Sequence, residues 1–325
     1  MIEAKDKNLT SWLGDVPKIP EEFKAFANFN EIYPEFSKQF NLDPEKAKLR
    51  LLSQKSSSKA HSFASYLCFC SDLYPVKLYQ SIFINESSAK MLLYDFFSSI
   101  NLEYTTIYQA AYLLLSRIAF PNNFNQIKLI FDTLAYAYHT ANPYYAIDTT
   151  QISKVFASCV LYSVYRIGAN QMYYETFKEY ISDVGLSDET KKSIFDQISE
   201  IPIPIFLTFR LTSDQPMIDH SGYLRKSGSV RATKRYYKID NLKMLVYDKK
   251  KLVKEFELAG CIARYIEQGP HEQRHIEIKT SDGKLIELKS GKKSEKEKEE
   301  LTSWVDDINF VAFVGLLNKI FSEKN

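Results

Sequence analysis

The run Ile201-Pro202-Ile203-Pro204-Ile205 constrains this chain more than any other feature. Each proline lacks a backbone donor, fixes its own φ and drives the residue before it towards an extended conformation, so no helix passes through the run. Ser213-Asp214-Gln215-Pro216, polar and ending in proline, follows it and marks a linker. A chain of 325 residues fits two domains better than one, and the residues on either side of this break differ in kind. From Met217 onward there are 22 Lys+Arg and 17 Asp+Glu, against 20 and 23 before it, so a whole-chain charge of only +2 conceals a basic part and an acidic one. Seven of the ten glycines also lie beyond the break, as expected where tight turns join strands.

Upstream, residues 1–38 hold Pro17, Pro20 and Pro34 among polar and aromatic residues and predict an irregular arm. Residues 39–210 read as one all-α domain. Asp43-Pro44-Glu45 sets a capping acid before a proline at a first helical position, with Ala47, Leu49 and Leu52 near one face and Ser56-Ser57-Ser58 as the stop. Apolar spacing predicts further helices at about 60–70, 75–82, 88–99, 104–118, 123–139, 149–166, 171–182 and 188–199. Pro121-Asn122-Asn123, Asn142-Pro143 and Ser187-Asp188 supply the caps and stops between them. The expectation is a compact stack of about ten short helices, nearly free of strands.

After the linker at 211–216, residues 217–321 read as a small β-barrel closed by one helix. Gly222-Tyr223-Leu224-Arg225-Lys226 opens a strand, Ser227-Gly228-Ser229 turns it, and Lys234 to Ile239 returns. Met244–Tyr247, Lys254–Leu258, His275–Lys279 and Lys284–Lys289 continue the series, with Asp240-Asn241 and Ser281-Asp282-Gly283 as hairpin turns. Glu295 to Leu317 then predicts an amphipathic helix whose stripe is Leu301, Trp304, Val305 and Ile308.

Strands followed by a helix bearing Trp304 resemble the pleckstrin-homology fold, whose first hairpin is similar to Gly222–Lys226 with Lys234–Tyr237. The helical part resembles the Sec-seven domain of Arf guanine-nucleotide exchange factors, in the domain order of the cytohesins. The matching stretches are Phe40-Asn41-Leu42-Asp43-Pro44, Phe120-Pro121, Ile127 through Tyr138 to Asn142-Pro143, Phe177, and Ser187-Asp188-Glu189 through Ile198. The resemblance spans residues 40 to 320 and implies an Arf-family small G protein as partner. It also implies a glutamate that repels the nucleotide phosphate and displaces its cation; Glu86, after Phe83-Ile84-Asn85, is the candidate. The second active-surface motif of the family falls on Leu161 to Asn170. The same resemblance admits a relative that keeps the helical scaffold as a partner-binding module without exchange.

Two anions in a partly desolvated site repel far more than in open water, which is what suits Glu86 to nucleotide displacement; the plainer alternative is an acid favoured at a helix start. Between Arg225 and Lys254 stand eleven basic residues against Asp240 and Asp248. Lys226, Arg231, Lys234 and Arg235 are expected at one open end, with Tyr247 adding a hydroxyl. Forked guanidinium and mobile ammonium groups together suit an anionic lipid, a phosphoinositide among them, while a charged edge that blocks strand-on-strand association is the alternative. Tyr236, Tyr237 and Tyr247 offer stacking faces for nucleic acid, but strand alternation is expected to bury some of them, and no nucleic-acid partner is expected. Tyr144, Tyr145, Tyr173 and Tyr174 either line a partner groove or belong to the core.

Cys68, Cys70, Cys159 and Cys261 sit among apolar neighbours without a secretory signal, which predicts free thiols, a cytoplasmic location and membrane association only at the periphery. Neither His61 with Cys68 and Cys70 nor His271 with His275 supplies four ligands at zinc-like spacing, so no metal and no cofactor is expected. No phosphate loop, nucleophile elbow or catalytic triad is present to indicate covalent chemistry.

Overall fold

The computed structural model describes residues 35–53, 63–70, 72–167, 172–209, 219–226, 233–268, 273–290 and 295–322, with Glu21, Leu211 and Pro216. The expectations for most of the N-terminal arm, the Ser56–Ser58 stop, His61, Met217, the Ser227–Ser229 turn, Arg231 and His271 lie outside the described residues. Contacts divide the chain into two compact units: residues 1–121, 125–163 and 172–208, and residues 122–124, 164–171 and 209–325.

Ten helices are described in the first unit: α1 (Phe36–Leu42), α2 (Pro44–Ser53), α3 (Phe63–Phe69), α4 (Pro75–Phe83), α5 (Glu86–Ser98), α6 (Ile107–Leu115), α7 (Phe124–Ala141), α8 (Thr149–Ile167), α9 (Tyr174–Tyr180) and α10 (Asp188–Glu200). Their starts are written in local chemistry. Asp43 caps α2 by accepting from the Lys46 amide at 3.1 Å, Pro75 stands at the first turn of α4, and Ser187 caps α10 by accepting from the Thr190 amide. At α6, the Thr106 hydroxyl accepts from the Gln109 amide while the Gln109 side chain accepts from the Thr106 amide, so two orphan donors are met reciprocally. Helix α6 is apolar on every side and is the buried centre of the stack.

Arg117, two residues after α6, is buried with its guanidinium donating to the carbonyls of Cys68 (2.6 Å), Leu67 (2.9 Å) and Cys70 (2.7 Å). Those carbonyls end α3, where a helix has no partners of its own to offer them. One fork of donors thereby joins two helices, and burial lowers the pKa of the group from its usual value.

The helical unit also contains a parallel strand pair that its sequence pattern does not announce. β1 (Ala119–Phe120) pairs with β2 (Phe206–Leu207) in the register Ala119↔Phe206 and Phe120↔Leu207. The extended backbone enforced by Pro202 and Pro204 leads directly into β2, but two residues per strand are too few to show alternation.

In the second unit β3 (His220–Lys226), β4 (Thr233–Asp240), β5 (Lys243–Asp248), β6 (Lys251–Glu257), β7 (Ile262–Gln268), β8 (Gln273–Lys279) and β9 (Leu285–Ser290) form one antiparallel sheet in the order β6-β5-β4-β3-β9-β8-β7. Among the described residues β6 and β7 do not pair, so the sheet is open where a closed barrel was expected. Strand β7 is an addition to the expected set; Ile262-Ala263 and Tyr265-Ile266 are adjacent apolar pairs that break the period of two. Gly283 adopts φ +83° in the expected hairpin turn between β8 and β9, a conformation open to glycine at no steric cost.

Helix α11 (Glu295–Ser322) follows the sheet. Trp304 is fully buried, and its ring lies against Gly222, where a Cβ would stand 3.5 Å from it. Farther along, Gly315 allows the helix to reach the turn before β7, for an added Cβ would meet the Ala259 Cβ at 2.8 Å. Asn309 uses both ends of its amide on the edge strand: its oxygen accepts from the Ala263 amide at 2.8 Å and its nitrogen donates to the Ala263 carbonyl at 3.0 Å. The expected amphipathic stripe is buried, but so is every other residue from Trp304 to Leu317. The apolar run Phe310-Val311-Ala312-Phe313-Val314 covers all faces of the helix, which is the pattern of a buried helix rather than an amphipathic one.

Candidate functional site

Glu86 occupies the first position of α5. The preceding Asn85 is its N-cap, with the side-chain oxygen accepting from the Ser87 amide at 3.1 Å and the Ser87 hydroxyl at 2.7 Å. The Glu86 carboxylate is exposed and accepts a long 3.4 Å contact from Gln126 Nε2 near the start of α7. The Gln126 oxygen in turn accepts from the Tyr79 hydroxyl on α4 at 2.9 Å. Burial, and then the charge of Glu86, raise the Tyr79 pKa. Three helices are thus tied by one polar chain, and the geometry of Glu86 is that of an acid favoured by a helix N-terminus in open water.

The region aligned with the second active-surface motif is committed inward. Leu161, Tyr162 and Ser163 on α8 are buried. The Tyr162 ring packs edge-on against Phe177 and Phe195, at 6.5 and 5.2 Å between centroids, and its hydroxyl meets Ser199 Oγ at 2.9 Å. Ser163 donates to the Cys159 carbonyl and accepts from the Ile203 amide. Residues 168–171 lie outside the described set. Of the four tyrosines considered for a groove, Tyr145 packs on Tyr138 and Tyr174 on Phe195, while Tyr144 and Tyr173 are exposed.

In the sheet, the candidate basic residues divide between two faces. Successive side chains of a strand point to opposite sides. Leu224, Tyr237 and Ile239 are buried and mark the inner face; Lys226 and Arg235 belong to the same rows, with Arg235 directly opposite Leu224. Lys234 and Tyr247 belong to the outer rows. There Tyr223, Tyr236 and Tyr247 stand side by side across three strands, at 5.2 and 6.2 Å between centroids, and Lys234 lies 4.8 Å over the Tyr223 ring with Arg225 opposite it in the ladder. Of the tyrosines weighed as stacking faces, Tyr237 is buried and Tyr236 and Tyr247 are not. The outer membership of Tyr223 and Arg225 was legible from strand parity once Leu224 is taken as core.

Arg235 carries the sharper signal. Its Nε is shut off from solvent and has no hydrogen-bond partner among the described residues, in the hairpin whose first strand ends at Lys226. A buried donor left unpaired costs free energy that an anionic acceptor recovers. Among the described residues no three His, Cys, Asp or Glu side chains cluster as metal ligands, and no helix is long and apolar enough to cross a membrane.

The family model described as the Sec7 domain matches residues 29–203, more than half of the chain. The chain belongs to the Sec7 domain family. Guanine-nucleotide exchange on Arf small G proteins is the activity of that family, and an Arf-type G protein is the partner it implies. Among solved structures, the Sec7p catalytic domain is 16% identical, with 52% of this chain and 95% of that one covered at a TM-score of 0.47. A point mutant of Legionella pneumophila RalF is 12% identical over 94% of this chain and 97% of its own, at 0.43. The C-terminal PH domain of human pleckstrin is 20% identical over 30% of this chain and 88% of its own, at 0.26. No curated protein sequence is significantly similar.

Proposed function

We propose that this Sec7 family member is an exchange factor for an Arf-family small G protein and that its C-terminal basic domain, pleckstrin-homology-like and following in cytohesin order, recruits it to an anionic membrane from the cytoplasm. The family match across residues 29–203 carries the first part of this reading. Domain limits of 39–210 and 217–321, separated by a linker at 211–216, belong to the same proposal. The membrane role is supported by the enclosed Arg235 Nε, which has no hydrogen-bond partner among the described residues, and by Arg225 and Lys234 on the outer rows; Lys226, Arg231 and Tyr247 belong to the same proposal. Basic residues at an anionic leaflet contribute about 1 kcal/mol each, enough in combination to dock a domain.

Glu86 is the carboxylate to test for nucleotide displacement. A second reading, a scaffold that binds its partner without exchange, is favoured by the exposed helix-start position of Glu86 and by the internal commitment of Tyr162 and Ser163. Release of a fluorescent guanine nucleotide from a lipid-anchored Arf protein, on liposomes with and without phosphoinositide, separates the two. Acceleration that rises with lipid and is lost in Glu86→Lys supports exchange through that residue. Acceleration that survives Glu86→Lys keeps the exchange reading and removes Glu86 from it. Partner binding and liposome binding with no acceleration establish the scaffold.

A further inference from the structure

Helices α5 and α7 and the first turn of α8 line an open cavity of about 690 Å³. Ser87, Lys90, Met91 and Tyr94 fall on one face of α5 at spacings of three and four, and Leu129, Thr133 and Tyr136 do the same on α7. Neither face is the main core stripe of its helix: α5 buries Ala89, Leu93, Phe96 and Phe97, and α7 buries Ile127, Ile130, Phe131, Leu134, Ala135, Ala137 and Tyr138, with Thr133 the buried residue of its cavity face. The fold therefore has no need of apolar groups along the cavity, yet Met91 is 66% exposed and Tyr136 56%. The Tyr94 and Tyr136 rings meet there at 5.5 Å and 51°.

Two polar groups in the cavity are without partners. Thr133 is 3% exposed, and its hydroxyl makes no hydrogen bond among the described residues. A helical threonine ordinarily returns its hydroxyl to the carbonyl one turn back, as Thr140 does to Tyr136 at 2.8 Å. Lys90 is exposed and forms no ion pair among the described residues. Lys128 and Asp132, by contrast, pair with each other at 2.7 Å, and Asp132 also accepts from Ser153 at 2.8 Å. The lining is left with one lysine outside any described ion pair, one buried donor with no described partner and an aromatic wall.

We infer that this cavity is a binding site for a small aromatic anion, its ring against Tyr94, Tyr136 and Met91, its charge met by Lys90 and a polar atom accepting from Thr133. The volume is in the range of small-molecule pockets, whose apolar lining with few convergent polar groups it shares. Tyrosine and methionine both favour contact with a flat ring.

The test is titration of the full chain, labelled at its methionine methyls, with 8-anilinonaphthalene-1-sulfonate, following the Met91 resonance assigned by Met91→Leu. The expected result is a saturable Met91 shift whose affinity falls about tenfold in Lys90→Glu and in Tyr136→Ser, both exposed positions that leave the fold intact. Thr133→Val is expected to raise the melting temperature, since it removes an unpaired buried hydroxyl, while weakening the probe several-fold. A Met91 resonance that does not move overturns the site. An affinity unchanged in Lys90→Glu, or matched by the cationic 1-naphthylmethylammonium, overturns its preference for an anion.

Discussion

Two arginines, one in each unit, show how differently the same side chain is used. Arg117 in the helical unit is wholly enclosed and three backbone carbonyls take its donors; the group belongs to the architecture and no ligand is needed to explain it. Arg235 in the sheet has an enclosed Nε with no acceptor among the described residues. A satisfied buried cation is a structural joint, whereas an unsatisfied donor at a strand end is an open valence. In the helical unit Arg117 is turned to the carbonyls at the end of α3, and in the sheet unit the basic residues of β3 and β4 divide between the inner and outer rows.

The largest expected effect tests the satisfied member of the pair. Arg117→Met leaves three buried carbonyls at the end of α3 without donors and is expected to destabilise the helical unit by about 3–5 kcal/mol, since each buried group left unpaired costs about 1–3. Arg117→Lys recovers only part of this, because an ammonium lacks the planar fork. Urea denaturation followed by circular dichroism measures both; equal stability of Arg117→Met and wild type would break the contrast.

Asn309→Leu comes next and asks whether the sheet unit also has joints of the first kind. Its amide is the only described partner on the helix for the Ala263 N–H and carbonyl. Removing it is expected to cost about 2–3 kcal/mol and to raise hydrogen exchange at the Ala263 amide before other amides of β7.

Arg235→Met should invert that pattern. With no native hydrogen bond to lose at Nε, the fold is expected to change by less than about 1 kcal/mol, while liposome binding weakens about fivefold at low salt, the share of one basic residue near an anionic surface. Loss of stability without loss of lipid binding would move Arg235 into the class of Arg117. Cosedimentation with phosphatidylserine vesicles, set beside a melting curve, reads both quantities.

What the sequence disclosed of these two units follows the range of the interactions involved. Asp43-Pro44 before α2 and Ser187 before α10 act within three residues, so their helices are readable in order and nearly in length. The pairing of Phe206-Leu207 with Ala119-Phe120 spans most of the helical unit and leaves no periodic trace. Strand β7 is hidden because its pairing and Asn309, not its own alternation, define it. At the sheet site, residue type was legible and side was not: Lys226 and Lys234 look equivalent in a basic run, and strand parity puts them on opposite faces. The α5–α7 cavity was unreadable for a related reason, because Tyr94 and Tyr136 satisfy the spacing of a core and only the packing shows that the core is complete without them.

The smallest expected effect belongs to the sheet's surface ion pairs, the opposite extreme from Arg117. Asp282 beside Gly283 accepts from Lys284 Nζ and from the Thr280 hydroxyl, each at 2.5 Å, and these bonds, the lysine's foremost, depress its pKa to about 2. An acid whose folded pKa lies below the unfolded value of about 3.9 contributes stability that is present above pH 4 and lost as pH falls through 2. The carboxylate is exposed, so water screens the interaction and the contribution is slight. The β8–β9 turn should therefore lose amide protection at Gly283 between about pH 4 and pH 2, and Asp282→Asn should flatten the difference within that window. The same pH dependence in wild type and Asp282→Asn would assign the acid sensitivity elsewhere in the sheet and leave this pair without energetic weight.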